Sequence, residues 1–368
     1  MKKVIIIILL LVGVTTTYAQ YNSLGLYNPH FTFNKAEFIP SKLGDNQSKV
    51  EFRIIPNAYF YGANSFMSAN TLMYPTTSKI NAAIDNANGY SIFGAGMEIP
   101  GIAFSYKVGK EKELMTFSLS NKTRAMANVL VDDNFLKLVW NGNKQFEGKT
   151  IGLNKFGASS IAATEIGLGW AMPLEISSMK MRVGANLKYL LAFGGGYMEE
   201  TGATMETATD GRYIALRNFN YQVDVARLDD ENTFTGKGFA MDLSTTFNFG
   251  SGVNASLAVL DIGSLTFDKN TTSYSGGGEV IIDGIVIENI FDDSSIEIDS
   301  MLTESLYSKK DSGKTFSMGL PTRFVVHLEK NIFKGDDLKH GIYFTYIQGF
   351  NNISGTTKKP YIAAGYSY

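Results

Sequence analysis

The sequence predicts an all-β fold, a transmembrane antiparallel up-and-down β-barrel with long extracellular loops. Three observations carry it: period-two alternation in segments of about ten residues, connections that are alternately short and long, and, past residue 19, no stretch apolar enough to be a membrane helix. A chain that crosses lipid without helices must close its sheet, because a backbone group left unpaired in hydrocarbon is costly. The composition agrees, with 37 Gly, 25 Phe and 19 Tyr beside 8 Pro and 2 Trp.

The chain divides into a leader at residues 1–19, an amino-terminal periplasmic or plug segment at 20–48, and the barrel at 49–368. Lys2 and Lys3 precede an apolar run from Val4 to Val14, then the small, polar stretch Thr15 to Ala19. Thr17 and Ala19 satisfy the small-residue rule for cleavage before Gln20, so this reads as a secretory signal peptide. Its apolar run is too short to span a bilayer, which needs roughly 20 residues. The cell outer membrane is the expected location. Loss of Lys2 and Lys3 lowers the 33 bases to 31 against 35 acids, a formal charge of −4, which gives no electrostatic reason to expect nucleic acid. The sequence has no Cys, so neither a disulfide framework nor a lipidated Cys is available.

Ten strands follow. Lys49 to Ala63, Ile102 to Val108 and Leu114 to Arg124 alternate in the first third. Ala162 to Met172 sets Ile166, Leu168, Trp170 and Met172 against Glu165, Gly167, Gly169 and Ala171. Met181 to Leu191 sets Val183, Leu187 and Tyr189 against Arg182, Gly184, Asn186 and Lys188. Gly238 to Phe249 opposes Phe239, Met241, Leu243 and Phe247 to Ala240, Asp242, Ser244 and Thr246. Val253 to Phe267 follows. Phe316 to Leu328 opposes Phe316, Met318, Leu320, Phe324, Val326 and Leu328 to Ser317, Gly319, Arg323 and His327. Gly341 to Phe350 and Pro360 to Tyr368 complete the set.

Such alternation also fits a soluble β-sandwich with one wet face. Loop lengths favour the barrel: the turns at 109–113, 173–180, 250–252 and 331–339 are short, whereas the connections at 65–101, 125–161, 192–237 and 268–315 are long, the pattern of periplasmic turns and extracellular loops. Aromatics gather near the short turns at Tyr106, Trp170, Phe247, Phe249, Tyr366 and Tyr368, as an interfacial girdle would. Asp132 to Val139 places acids before Phe135, Leu136 and Leu138, which predicts a short helix. Between Asn270 and Ser308 stand eight acids and no Lys or Arg, an anionic loop.

Strand parity assigns Lys122, Arg124, Glu165, Arg182, Lys188, Asp242, Arg323 and His327 to the lumen, with Arg53, Lys107, Glu51 and Glu329. That set is basic in excess. It forms either a field attracting an anionic solute or a collection of ion pairs that plugs the barrel. Catalysis lacks support, because His30, His327 and His340 are the only histidines and no nucleophile–base signature accompanies them. Asp292, Asp293, Glu297 and Asp299 match no calcium-loop spacing, and no cofactor or metal is expected.

The run Arg182 to Leu190 (RVGANLKYL) resembles a segment of Bacteroidota outer-membrane barrels of unknown function. Thr116 to Arg124 (TFSLSNKTR), Trp140 to Asn143 (WNGN), Gly236 to Leu243 (GKGFAMDL), Leu260 to Gly263 (LDIG) and Leu320-Pro321 extend the resemblance over most of the chain. Those barrels are similar to fatty-acid transporter barrels and the type IX secretion shuttle barrel, in which an amino-terminal segment enters a fourteen-stranded lumen. Set beside those barrels, the ten strands here read either as a small complete barrel or as part of a fourteen-stranded one. Where those proteins carry Asn-Pro-Ala, this chain has Asn28-Pro29-His30. Two functions follow from the likeness: binding or passing a small amphipathic or anionic solute, or serving as a structural or partner barrel in a surface secretion, gliding or adhesion complex. Expected partners are outer-membrane lipid and lipopolysaccharide, a small amphipathic ligand, or a protein of a surface complex.

Overall fold

The computed structural model describes residues 35–45, 48–54, 58–87, 89–109, 114–177, 179–210, 213–228, 233–283, 306–334 and 337–367. The leader, His30 with its Asn-Pro-His motif, the acids from Glu288 to Glu304 and Tyr368 lie outside these residues. Fifteen strands make one antiparallel sheet: β1 (Val50–Arg53), β2 (Tyr59–Asn64), β3 (Tyr90–Val108), β4 (Met115–Asp132), β5 (Thr150–Ile176), β6 (Met179–Thr207), β7 (Tyr213–Ala226), β8 (Gly236–Asn248), β9 (Val253–Phe267), β10 (Thr271–Asp283), β11 (Leu306–Ser312), β12 (Phe316–Gly319), β13 (Arg323–Lys334), β14 (Asp337–Gly349) and β15 (Tyr361–Ser367). Among the described residues, the helices α1 (Ala69–Met73), α2 (Thr77–Asp85) and α3 (Asp133–Asn141) lie in the long connections.

The principal path runs β1-β3-β4-β5-β6-β8-β9-β13-β14-β15, with β2 prolonging β1 beside β3 and β12 pairing with β9 beyond β13. These ten positions correspond to the ten strands legible in the sequence. The sheet curls into a barrel, so that side chains from strands distant in this order meet inside. Arg124 of β4 reaches Asp261 of β9 at 3.2 Å. At the two ends of the path, Lys359 just before β15 donates to Ser65 Oγ after β2 and to the carbonyl of Tyr90, the first residue of β3.

One end of the barrel carries tight turns. Gly250, Ser251 and Gly252 all hold positive φ between β8 and β9, and β13 and β14 pair as far as Lys334 opposite Asp337. The opposite end differs from expectation, because much of the sequence assigned to long loops is strand. β5 has 27 residues and β6 has 29, roughly 90 Å of extended chain. Their distal halves pair with each other, and from the distal half of β6 the sheet continues through β7 and β10 to β11. The supposed anionic loop therefore opens as β10, where Glu279 pairs with Arg217 of β7. The expected helix is present as α3, with Asp132 as its N-cap accepting from Asn134 N at 2.9 Å.

Outward side chains form an apolar belt around the half of the barrel nearest the tight turns: Phe52, Ile102, Leu168, Leu187, Phe239 and Ile342 are each more than half exposed. Their strand neighbours face in. One expected phase is inverted. Phe316, Met318 and Leu320 are buried inside while Ser317 is exposed, whereas Arg323 and His327 face in as parity requires. The strand is interrupted at Leu320-Pro321-Thr322, and the alternation restarts one residue out of step beyond it.

The sheet forks where β6 leaves β8, and there Gly195 lies under Phe267, which stacks on Phe316 at 4.9 Å. A Cβ on Gly195 would sit 2.5 Å from the Phe267 ring, itself wholly buried. Gly195→Ile is therefore expected to destabilise the barrel by about 1–3 kcal/mol through overpacking, read as a lower unfolding temperature in a heat-modifiable gel-shift assay. An unchanged temperature would refute the packing assigned to the fork.

Candidate functional site

Three layers fill the lumen. Nearest the tight turns lies a plug from residues 35–45. Its short 3-10 turn, Pro40–Lys42, is entirely buried, and Phe38 and Ile39 pack on Ala258, Leu260, Val325 and Ile347. Polar ties fix its height. Ser41 N donates to Ser244 Oγ at 2.6 Å, and Ser41 Oγ shares a hydrogen bond with Thr246 Oγ1 at 2.8 Å. Lys42 Nζ meets Glu329 at 2.6 Å, Arg53 meets Glu37 at 2.7 Å, and Arg182 stands 3.9 Å from Asp45. Gly184 lets this backbone approach the wall, since a Cβ there would lie 2.4 Å from Pro40 C and Ser41 N.

The middle layer is ionic. Asp261 takes Arg124 at 3.2 Å, Lys188 at 2.8 Å and Arg323 at 3.6 Å. Arg124 also meets Glu165 at 2.5 Å, Lys188 meets Asp242 at 2.7 Å, and Lys122 lies 3.8 Å from Glu98 and 3.9 Å from Glu165. Four cations thus face four carboxylates, every one of them buried. The expected site residues Lys122, Arg124, Glu165, Lys188, Asp242 and Arg323 all belong to this layer. Arg182 and His327 do not; they stand at plug level. His327 shares a hydrogen bond with Thr345 at 2.9 Å and lies 3.7 Å from Glu329, which also accepts from Asn254. Ser317, expected on the same face as His327, is instead outside, bonded to Thr266.

Two acids of this layer escaped the sequence reading, for physical reasons. Glu98 lies in a stretch read as loop, and β3 bulges between Pro100 and Ala103, which shifts the inward phase from Glu98 and Pro100 to Ala103 and Ser105. Asp261 sits on a bulge in β9, where Leu260 and Asp261 together oppose Asp242. Its φ of 56° is left-handed, a conformation Asp tolerates better than most residues. The bulge turns the Asp261 N–H onto Asp242 Oδ1 at 2.7 Å. The signal available beforehand was the Leu-Asp-Ile-Gly segment itself, an acid beside a glycine within a strand.

The third layer is apolar: Met126, Ile161, Leu190, Leu265, Phe267, Phe316 and Leu320 cluster with Tyr61. Against it folds the β14–β15 connection, another feature absent from the sequence reading. Asn128 Nδ2 donates to the carbonyls of Ile353 and Thr356, Ser354 N donates to Ser159 Oγ, and Ser354 and Thr356 are wholly buried. Between the layers remain cavities of about 30 Å³ under the plug and about 20 Å³ beside Lys122 and Lys188, each the size of a water molecule. Among the described residues, no group of three or more His, Asp or Glu side chains is placed to hold a metal.

Residues 40–364 match a family of unknown function, DUF5723. The chain belongs to that family. The match spans all three layers, from the buried turn of the plug to β15, so the DUF5723 region takes in the lumen contacts from Pro40 onward as well as the wall. No curated protein matches the sequence.

Two substitutions test this arrangement. Asp261→Asn keeps a side chain suited to the left-handed bulge but leaves three buried cations short of one charge. Removing one partner of a buried pair costs about 3–5 kcal/mol, so a large fall in unfolding temperature is expected, and a wild-type melt would show the network to be energetically idle. Gly184→Val pushes on the plug backbone alone; limited proteolysis within residues 35–45 is expected to quicken roughly tenfold as local opening becomes easier, while the barrel's own gel shift persists.

Proposed function

We propose that this protein is an outer-membrane barrel of the Bacteroidota type that does not conduct, and that it acts as a structural partner barrel in a surface secretion, gliding or adhesion complex. The filled lumen carries this reading. An open pore keeps a continuous aqueous path, whereas here the plug, the balanced ionic layer and the inward-folded β14–β15 connection occupy the lumen, and the two cavities described between them are water-sized. Placement in the membrane is supported by the apolar belt, by the exposed Tyr106, Phe249 and Tyr366 near the tight turns, and by the leader. The strands that outrun the belt are the part left to act. With the tight turns in the periplasm, the β5–β6–β7–β10–β11 extension stands outside the cell and offers a partner a rigid surface.

A second reading, binding or passage of a small amphipathic or anionic solute, is favoured by one feature. An apolar groove of about 340 Å³ on the outer wall, lined by Trp170, Val183, Leu243, Leu257 and Phe324, is shaped to take an acyl chain. Passage onward into the lumen requires the plug to leave.

Planar-bilayer recording separates the two. The purified wild type is expected to be electrically silent and proteoliposomes to hold their solutes. In intact cells, cross-linking is expected to trap a surface protein that is lost when β7, β10 and β11 are replaced by short turns. Stepwise conductance or solute flux through the wild type would overturn the partner-barrel reading in favour of transport.

A further inference from the structure

Each cation of the ionic layer has a carboxylate within 4 Å; at the outer mouth four lysines stand without one at that distance. Lys79 of α2, Lys137 of α3, Lys155 of β5 and Lys359 surround a polar cleft, and among the described residues none of the four forms an ion pair. The cleft has two lobes, of about 520 and 280 Å³, that share Ala87 and Asp133, a size ordinary for small-ligand sites. The two acids nearby are already engaged. Asp132 accepts from the backbone N–H groups of Asn134 and Asn154, and Asp133 accepts from Ser91 Oγ at 2.5 Å. Lys155 and Lys359 converge on one ring, their ammonium nitrogens 4.7 and 4.9 Å from the centroid of Tyr90. Partial burial holds Lys359 below the usual lysine range and pushes Asp133 above the usual carboxylate range.

We propose that this cleft binds an acidic sugar, a saccharide unit carrying a phosphate or a carboxylate. Lys79, Lys137 and Lys359 donate only to neutral groups, among them Asn70 Oδ1, the Ala87 carbonyl and the Tyr90 carbonyl, so the four ammonium groups keep their charge available to an acid. Between them lie neutral hydroxyl and amide groups, Ser65, Ser68, Thr71 and Asn86 in one lobe and Asn134 and Asn154 in the other, which suit ring hydroxyls as donors and acceptors. An acyl chain is disfavoured by this polar lining, and a bare anion would leave the hydroxyl-lined floor unused. The site rests on its own lining and is independent of whether the barrel conducts.

The test uses the full chain folded in detergent, with fold confirmed by gel shift, and titrates four probes by calorimetry: glucose 6-phosphate, glucuronate, glucose and inorganic phosphate. Both acidic sugars are expected to bind at least about tenfold more tightly than glucose or phosphate, and Lys155→Gln and Lys359→Gln each to weaken them about tenfold, the worth of one charge-assisted hydrogen bond. Lys155 is exposed, so its variant keeps the test sound should Lys359→Gln fail to fold. Phosphate binding as tightly as glucose 6-phosphate, glucose equalling the acids, indifferent variants or no heat at all would each overturn the proposal. Repeating the titration in nanodiscs that contain a phosphorylated glycolipid identifies the natural source: loss of probe binding assigns a lipid headgroup, and retention assigns a soluble saccharide.

Discussion

The barrel's interior depends on one carboxylate. Asp261 is the point at which Arg124, Lys188 and Arg323, from three different strands, converge. A buried charge without a partner costs several kcal/mol, so these cations can be buried together only because Asp261 is aimed at them. That aim needs the bulge. In regular alternation after Leu260 the next inward residue would be Ile262; the left-handed turn at Asp261 brings the acid in and puts Ile262 outside. The same place ties the neighbouring strands together, since Thr322 donates to the carbonyl of Asp261 and Leu320 N to that of Gly263. The break between β12 and β13 is thus the counterpart of the bulge in β9, and both strands change inward phase at one height.

This explains what the sequence could reveal. Where strands keep strict alternation, parity is a sufficient guide: Glu165, Lys188, Asp242 and Arg323 face in as read, and Leu168, Leu187 and Phe239 face out. Parity carries no information across a bulge, because one extra residue inverts everything beyond it. Each error over which residues face inward lies at such a place. Glu98 lies beyond the Pro100–Ala103 bulge, Asp261 is itself a bulge residue, and Phe316, Met318 and Leu320 precede a strand break. The omissions fell unevenly on the two signs of charge. With Glu98 and Asp261 missed, four cations of the ionic layer faced only Glu165 and Asp242, and a balanced layer read as a basic one.

The distal strands were misread for a different reason. Alternation shows in sequence when one face meets hydrocarbon or a packed core and the other meets water, whereas in the distal halves of β5 and β6 most residues are half-buried and few are exposed. There the composition is mixed, with Asn154, Lys155, Thr201, Gly202 and Thr204 in strand. Such segments resemble loops by composition and are held as strands by pairing, with α3 and Phe146 packing over Leu153, Ala203 and Met205 to give the extension a small core of its own. The strand length that exceeds any membrane requirement is therefore independently supported structure.

Charge neutralisation inside and its absence at the mouth follow from the same electrostatics. Inside the lumen the ammonium groups are shielded from bulk solvent, so a carboxylate at close range offsets their desolvation. At the mouth solvent screens the four lysines, and they can remain without ion-pair partners at small cost to the fold. A ligand that displaces that solvent must bring its own negative charge. One rule thus covers the lumen and the outer cleft: cations buried in the ionic layer are ion-paired, and the lysines without an ion pair lie where solvent reaches them.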